Sequence, residues 1–513
     1  MKCGILNRGA GYIDMARHGR RLRSTDEAVR AHAQRHLAAR MGKLRGLPQK
    51  IGQILSMSAD DAKADAFAPM TDCAEPLALA DIEAILRDSW GRDPNQVYSS
   101  IEPTGLAASL GQVHQAQLRD GRDVAIKVQY PGIRQAVMND LKMLGWLSAP
   151  VGDLRRGFDL AGYRQEILRD LEAELDYRVE AENQSRFVSI APELPGWIVP
   201  ELIPELCTHR VLVSHWVVGE RIEEAAAWPQ PQRDQLAVAL VRGFFNLLFG
   251  HGLIHADPHP GNYRSKQSPD GPAIVLYDYG SVMTLEPKEV VALLKLIEMT
   301  AHKQGDPLGP MLSLGFREEL LRPIRSKLPA LCAAMLEPFC IEARYDLSRW
   351  RRSERVEDIL GDDRWNFRMS GPPNFIFVMR AFRGLTYYLE KLDSPVSWGI
   401  ALRPYLALHR QALNDWHCDM MDDEPTAGFA GMAKLLKIRV TENGATKVAL
   451  TFQSDAVDDL DDLMDEDLLN RIRSQGIDVA AIVRRVRQSA FVPQELFAIP
   501  ESDGQRAVRV WLE

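Results

Sequence analysis

The sequence predicts an α+β chain in two lobes, a strand-rich small lobe followed by a helical large one. A helical leader precedes them and a small α+β appendix follows. Three observations carry this expectation. Apolar and polar residues alternate from Leu110 to Tyr130 on both sides of Gly121, as in a β-hairpin. From Gln230 to about Met421 helical spacing dominates, interrupted by a loop and hairpin between Leu253 and Ser281. Alternation then returns in 437–452 around Asn443-Gly444, a pair suited to a two-residue hairpin turn.

Taken in order, Asp26 to Leu47 reads as a basic amphipathic helix, with Val29, Ala33, Leu37, Met41 and Leu44 spaced about one turn apart. Residues 1–50 hold 12 Lys and Arg against three acids. Such a helix suits either peripheral contact with an anionic membrane or, more simply, packing by one face on its own protein. A short helix and a loop fill 81–97. The hairpin of the small lobe ends at Pro131-Gly132, and a long helical pattern spans Gly162 to Phe187. Strand character reappears over Arg210–Gly219. The final VRVWL reads as a further strand beside the 437–452 hairpin. The run 455–467, with eight acids in thirteen positions, reads as the solvated start of a helix. The expected units are therefore 1–95, 96–219, 220–424 and 425–513, the last taken as a packing appendix in preference to a partner-binding module.

Composition narrows the class. With 46% apolar and 26% charged residues the chain is neither disordered nor fibrous. A net charge of −8 argues against a coat for nucleic acid, so no nucleic-acid partner is expected. Six scattered cysteines without a CxxC suit reduced thiols, and no stretch of 18 apolar residues or secretory h-region is present. These features predict a cytoplasmic protein, with the basic helix as its contact at the inner face of a membrane.

A small strand lobe before a helical lobe raises the question of phosphoryl transfer, which needs a lysine on the phosphates, an acid to hold it, metal-binding oxygens and a positioned carboxylate. Lys127 lies on a strand with Val124, Ile126 and Val128 alternating about it. Glu174, Asp176 and Glu180, within two helical turns, are its candidate partners. In HADPHPGN, Asp257 and Asn262 have the D-x-x-x-x-N spacing of a kinase-type catalytic loop. AIVLYDYG follows, ending in Asp278-Tyr279-Gly280, where a carboxylate at a strand end can bind Mg²⁺ beside Asn262. His255 and His259 have no third ligand at zinc spacing, and Pro258 and Pro260 oppose a helical geometry, so His259 is read as a loop-shaping or phosphate-near residue. Before the lysine, Pro103–His114 keeps only Gly105 and Gly111, so the backbone over the nucleotide cannot wrap phosphates as a glycine-rich loop does.

With these motifs in place, the chain resembles the UbiB family of atypical protein-kinase-like ATPases, the AarF/ADCK group. The likeness rests on Lys50-Ile51-Gly52-Gln53, on LAAS at 106–109, on VAIKVQYPGI at 124–133 and on ELDYRVEAEN at 174–183, together with HADPHPGN and DYG. It is clear from about Arg45 to Thr284 and extends over the large lobe to about 420. The resemblance implies a bilobal protein-kinase-like fold with a helical KxGQ extension over the active site. It implies that Lys127 contacts phosphate and pairs with Glu180, and that Asp257 is the catalytic-loop carboxylate. Asn262 and Asp278 would bind Mg²⁺. Ala107, Ala108 and Ser109 would line the phosphates of ATP, and adenine would sit near Ser214 and Val217. Glu174 and Asp176, with Lys50 and Gln53, would belong to the extension folded over the acceptor cleft.

Departures from the family pattern are Leu106 in place of the first alanine, Tyr279 in place of the usual Phe, and the lack of a C-terminal membrane anchor. A covered acceptor cleft favours an ATPase or atypical kinase acting on water or a small, lipid-like acceptor rather than on protein. The family's link to isoprenoid quinone biosynthesis and lipid homeostasis supplies the expected setting and a lipid or isoprenoid partner. Two alternatives stay open: a small-molecule phosphotransferase of the aminoglycoside/choline-kinase kind, and a nucleotide-binding scaffold without catalysis.

Overall fold

The computed structural model describes residues 77–108, 110–138, 168–169, 171–416, 428–464, 466–500 and 506–513. The basic helix, Lys50, Gln53, Ser109, residues 162–167 and residue 170 lie outside the described residues.

Helix α1 (Leu79–Trp90) and strands β1 (Tyr98–Ile101), β2 (Leu106–Ala107), β3 (Gly111–Leu118) and β4 (Asp123–Gln129) begin the small lobe. With β6 (Val211–His215) the strands form an antiparallel sheet in the order β1-β3-β4-β6, with β2 added to β3. The hairpin predicted from alternation is β3–β4, in register Gln117 with Asp123 and Val113 with Lys127. On β4 the period of two sends Val124, Ile126 and Val128, all fully buried, under α1 against Ile82 and Leu86. Ala125 and Lys127 therefore face the other side, toward the cleft. That alternation delivers the lysine.

The helical pattern predicted to run unbroken to Phe187 is interrupted. Residues 171–174 are helical, Leu175 turns, and α2 (Tyr177–Ile190) starts afresh. The cause is Asp176, whose backbone is extended (φ −130°, ψ 101°) and whose carboxylate accepts the Arg178 N–H as an N-cap. Tyr177, Glu180, Gln184 and Phe187 then share the buried face of α2.

In the large lobe β8 (Leu253–His255) pairs with β11 (Val282–Thr284), and the predicted hairpin is β9 (Tyr263–Ser268) with β10 (Gly271–Leu276). Two short strands unforeseen in the sequence, β5 (Trp197–Ile198) and β7 (Glu220–Arg221), complete the sheet β5-β10-β9-β7. Around these loops pack α3 (Gln230–Phe245), α4 (Pro287–His302), α5 (Leu328–Cys340), α6 (Arg352–Leu360), α7 (Phe375–Leu392) and α8 (Trp398–Leu408). Phe245, Phe249, Tyr279, Tyr388 and Trp398 anchor the core shared by α3, α4, α5, α7 and α8, while α6 buries Ile359 and Leu360 in a second core.

The last region is a sheet in the order β13-β12-β15-β14, from β12 (Leu435–Glu442), β13 (Ala445–Gln453), β14 (Gln494–Ile499) and β15 (Ala507–Leu512). Asn443 and Gly444 both have positive φ, 52° and 75°, as the predicted two-residue turn requires. VRVWL is β15, seated on β12; β14 escaped the sequence reading. Helices α9 (Glu466–Ser474) and α10 (Val479–Gln488) cover the sheet. Leu436, Val510 and Leu512 share one core with Ala292, Leu296 and Leu331 of α4 and α5, so this region is packed on the large lobe.

The acidic run corrects one expectation. Glu466 and Asp467 do begin a helix, but Asp458 is largely enclosed, its side chain 10% exposed, beneath Arg487 and Arg355 at 2.9 and 3.0 Å. Buried guanidinium groups need carboxylates, and this part of the run supplies one rather than facing water. Among the described residues no helix is long and apolar enough to cross a membrane.

Candidate active site

Sequence alone left three acids as candidates for Lys127, and the fold selects Glu180. The Lys127 ammonium donates to Glu180 at 2.6 and 2.8 Å and to Asp278 Oδ2 at 2.6 Å, bridging α2 and the loop after β10. Its Nζ also lies 5.1 Å from the centre of the Tyr177 ring, within cation–π range. Burial alone would push the ammonium down, but Asp278 and Glu180 hold its pKa well above the ordinary lysine value. Burial likewise works to raise the Asp278 carboxyl, and the Lys127 charge overcomes it, leaving the group below the usual carboxylate range. Glu180, almost completely enclosed, is pushed up by burial and by the Asp278 charge despite Lys127.

Asp278 is further fixed through its own loop: Oδ1 accepts the Gly280 N–H at 3.0 Å, and its backbone carbonyl accepts His255 Nε2–H at 2.7 Å. Tyr263 donates its hydroxyl to His255 Nδ1 at 3.0 Å, which sets the tautomer. Burial lowers the His255 pKa, so the ring stays neutral. Tyr279 points away from the cleft into the core, edge-on to Phe187, with its hydroxyl on the Leu276 carbonyl at 2.9 Å. The extra oxygen relative to Phe is thereby satisfied.

Asp257 stands close enough to Asp278 that its charge opposes ionisation there. Asn262 Nδ2 donates to the Asp257 carbonyl at 3.0 Å, closing the loop that both occupy. The four residues Lys127, Asp257, Asn262 and Asp278, 151 positions apart at the extremes, are thus brought to one cleft. His259 Nδ1 accepts the Gly261 N–H within the loop, a loop-shaping contact.

The other predicted residues divide. Glu174 is buried, its Cγ 3.4 Å from where a Cβ on Gly280 would stand, so it borders the DYG turn. Asp176 caps α2 and holds Arg178 at 2.7 Å; neither acid is the Lys127 partner. Ala107 lies in β2, paired with Gln112, and Ala108 N–H donates to the Gly111 carbonyl at 2.8 Å; neither alanine has a positive φ. Leu106 beside them is 65% exposed over the cleft's roof. Gly111 is needed where it is, since a Cβ there would come 2.3 Å from the Val128 carbonyl. Ser214 is on β6 opposite Ala125, and the Val217 carbonyl accepts the Tyr277 hydroxyl at 2.6 Å, tying the segment between the lobes to the strand end before Asp278.

A family model described as the ABC1 atypical kinase-like domain matches residues 69–308, the span holding every one of these described groups. Residues 69–308 carry the atypical kinase-like domain of the UbiB family. Among its relatives, AarF domain-containing protein kinase 1 of Xenopus laevis is 33% identical over 212 residues, covering 40% of this chain and 41% of that protein. The mitochondrial atypical kinase coq-8 of Caenorhabditis elegans is 29% identical over 275 residues, covering 52% and 36%. The chain thus spans less than half the length of either. The solved structure of Rv3197 from Mycobacterium tuberculosis, in complex with erythromycin, is 28% identical with a TM-score of 0.51, covering 71% of this chain and 93% of that one. The protein-kinase-like fold of the UbiB family is therefore the fold of this chain.

Among the described residues no cluster of three or more His, Cys, Asp or Glu is ready to hold a metal unaided. One carboxylate and one amide oxygen form a hard donor set that suits Mg²⁺ when phosphate and water oxygens supply the remainder. Asp278 and Asn262 fit that description.

One charged residue at this UbiB site was missed. Arg380 of α7 donates to Asp257 Oδ1, and both side chains are buried. Its signal in the sequence is an arginine on the apolar face of an amphipathic helix, among Phe377, Val378, Ala381 and Leu385.

Proposed function

We propose that this UbiB protein binds Mg-ATP between its lobes and transfers the γ-phosphoryl group to water or to a small acceptor, in support of isoprenoid quinone or lipid metabolism. The observation that carries the reading is the Lys127 ammonium shared between Glu180 and Asp278 in the cleft that also holds Asp257. A lysine so held is positioned for phosphate oxygens, and Asp257 for a hydrogen bond from the acceptor O–H. The bond from the γ-phosphorus to its bridging oxygen breaks as the bond to the acceptor oxygen forms. Asn262 and Asp278 would hold Mg²⁺, which supplies charge neutralisation on the phosphates when bound. Ala107, Ala108 and Ser109 would border those phosphates, with adenine near Ser214 and Val217.

Of the expected unit 1–95, α1 packs in the small-lobe core; under this reading the chain before it, with Lys50 and Gln53, forms the extension that meets Glu174 and Asp176 over the acceptor side. The units 96–219 and 220–424 are the two lobes, and 425–513 the appendix. The setting follows from the family and from relatives named as atypical kinases, one of them coq-8.

The test is phosphate release from Mg-ATP, with and without an isoprenoid quinone analogue, in the wild type and in Asp278→Asn. Turnover should fall at least about 100-fold in the variant. Unchanged turnover in Asp278→Asn removes the basis of the proposal. Stoichiometric transfer to a soluble alcohol would assign the phosphotransferase class instead, and nucleotide binding without any turnover would assign a scaffold.

A further inference from the structure

We infer that α7 is a strut for the catalytic loop, with Arg380, Gly384 and Tyr388 acting as positioning residues for Asp257. The inference rests on the nucleotide reading above and goes beyond it to a helix that contributes none of the predicted site residues.

The three positions are four apart, so they lie along one stripe of the helix. Each meets the catalytic loop in a different way. Arg380 donates to the Asp257 carboxylate, with both residues 6% exposed. At Gly384 the helix backbone touches the loop: an added Cβ would fall 2.0 Å from Pro258 Cβ, a separation no side chain tolerates. Tyr388 donates its hydroxyl to the Pro258 carbonyl at 2.8 Å, and its ring lies 5.2 Å from that of Tyr263, at the far end of the loop. Side chain, ring and carbonyl of two successive loop residues are thus held by one rigid element.

Energetics favour a positioning role over a stabilising one. A buried ion pair returns little net stability, because desolvating both charges offsets their attraction. Arg380 also leaves Nε and one terminal nitrogen buried without a hydrogen-bond partner among the described residues, a further cost. What the pair secures is orientation. Asp257 carries a negative charge that repels that of Asp278, and a guanidinium on its far side balances that repulsion. Among the described residues, the groups that feel the Asp257 charge include Asp278 after β10, His255 on β8, Tyr263 on β9 and Tyr388 on α7, with Arg380 of α7 in direct contact. Arg380 is the permanent cation among them.

The test has two arms. In nucleotide-free protein, hydrogen exchange of the 253–263 peptide should accelerate in Arg380→Gln and in Tyr388→Phe, which removes one hydroxyl and little else. Exchange in the 435–453 hairpin should stay as in the wild type. In Mg-ATP turnover, kcat of Arg380→Gln should drop about 100-fold with KM for ATP unchanged. Arg380→Lys should recover part of it, and the double variant Asp257→Asn/Arg380→Gln should be no slower than Asp257→Asn alone. Unaltered loop exchange in both variants overturns the strut, as does a double variant whose losses multiply. A wild type that binds no Mg-ATP overturns the nucleotide reading, while the exchange arm still decides whether α7 holds the loop.

Discussion

Lys127 has one positive charge to divide between two carboxylates, and its environment makes that charge permanent. Removing it should therefore be costly beyond catalysis. Lys127→Met leaves Glu180 enclosed without a cation, which should destabilise the fold by about 3–5 kcal/mol. Adding Glu180→Leu should restore most of the lost Tm, because an apolar pair of similar volume needs no compensation, while turnover remains lost. Thermal unfolding of the single and double variants checks this, and an unchanged Tm in the single variant would refute it. The lysine was legible in the sequence because strand alternation assigns its face. Spacing alone left its partner open among three acids on one helical stretch, which Asp176 breaks; the family resemblance named Glu180, and the structure bears that out.

Elements were legible where a local period or turn chemistry defines them, as in the β3–β4 hairpin and the Asn443-Gly444 turn. They were lost where pairing is non-local: β5 and β7 are two residues each and exist because β10 and β9 are beside them. Helix α3 offers a prediction at this scale. Asp234 on it accepts from Ser394 at 2.6 Å, Arg344 at 2.7 Å and Gln230 at 2.8 Å, joining α3 to the segment after α7. Burial would raise its carboxyl, but these donors hold it at about 2. A depressed folded-state pKa contributes stability that is complete above about pH 4 and is lost as pH falls toward 2. Urea unfolding of the wild type and Asp234→Asn from pH 6 to pH 2 should show a gap that closes across that window. A gap of constant size would contradict the assignment.

Across the whole molecule, the large lobe and the C-terminal sheet share apolar residues and are pinned by charge. Arg487, almost fully buried, donates to Asp458, Glu354 and Asp358 between 2.8 and 2.9 Å, linking α10 to α6. Arg487→Met takes the guanidinium from Asp358 and leaves Asp458 with Arg355 alone, and a loss of about 3 kcal/mol in chemical unfolding is expected. Since the core is continuous, sheet and large lobe should still unfold in one transition. A separate early transition of the 428–513 region in the wild type would show that the two do not behave as one unit. Helix α7 can serve the catalytic loop because Val378, Ala381, Leu385 and Leu389 anchor it in the core of the large lobe.

From the sequence alone came the order of lobes, the family resemblance and the identity of Lys127, Asp257, Asn262 and Asp278, because spacing within a motif and alternation along a strand are properties of the local chain. The tertiary structure bore out Glu180, which the resemblance had named among three nearby acids, as the partner of the lysine, and it alone decided that Asp458 is enclosed beneath two arginines and that Arg380 stands behind Asp257. Those choices depend on which distant surfaces meet and on how much water is excluded when they do, and neither quantity is encoded within one turn of helix or one strand.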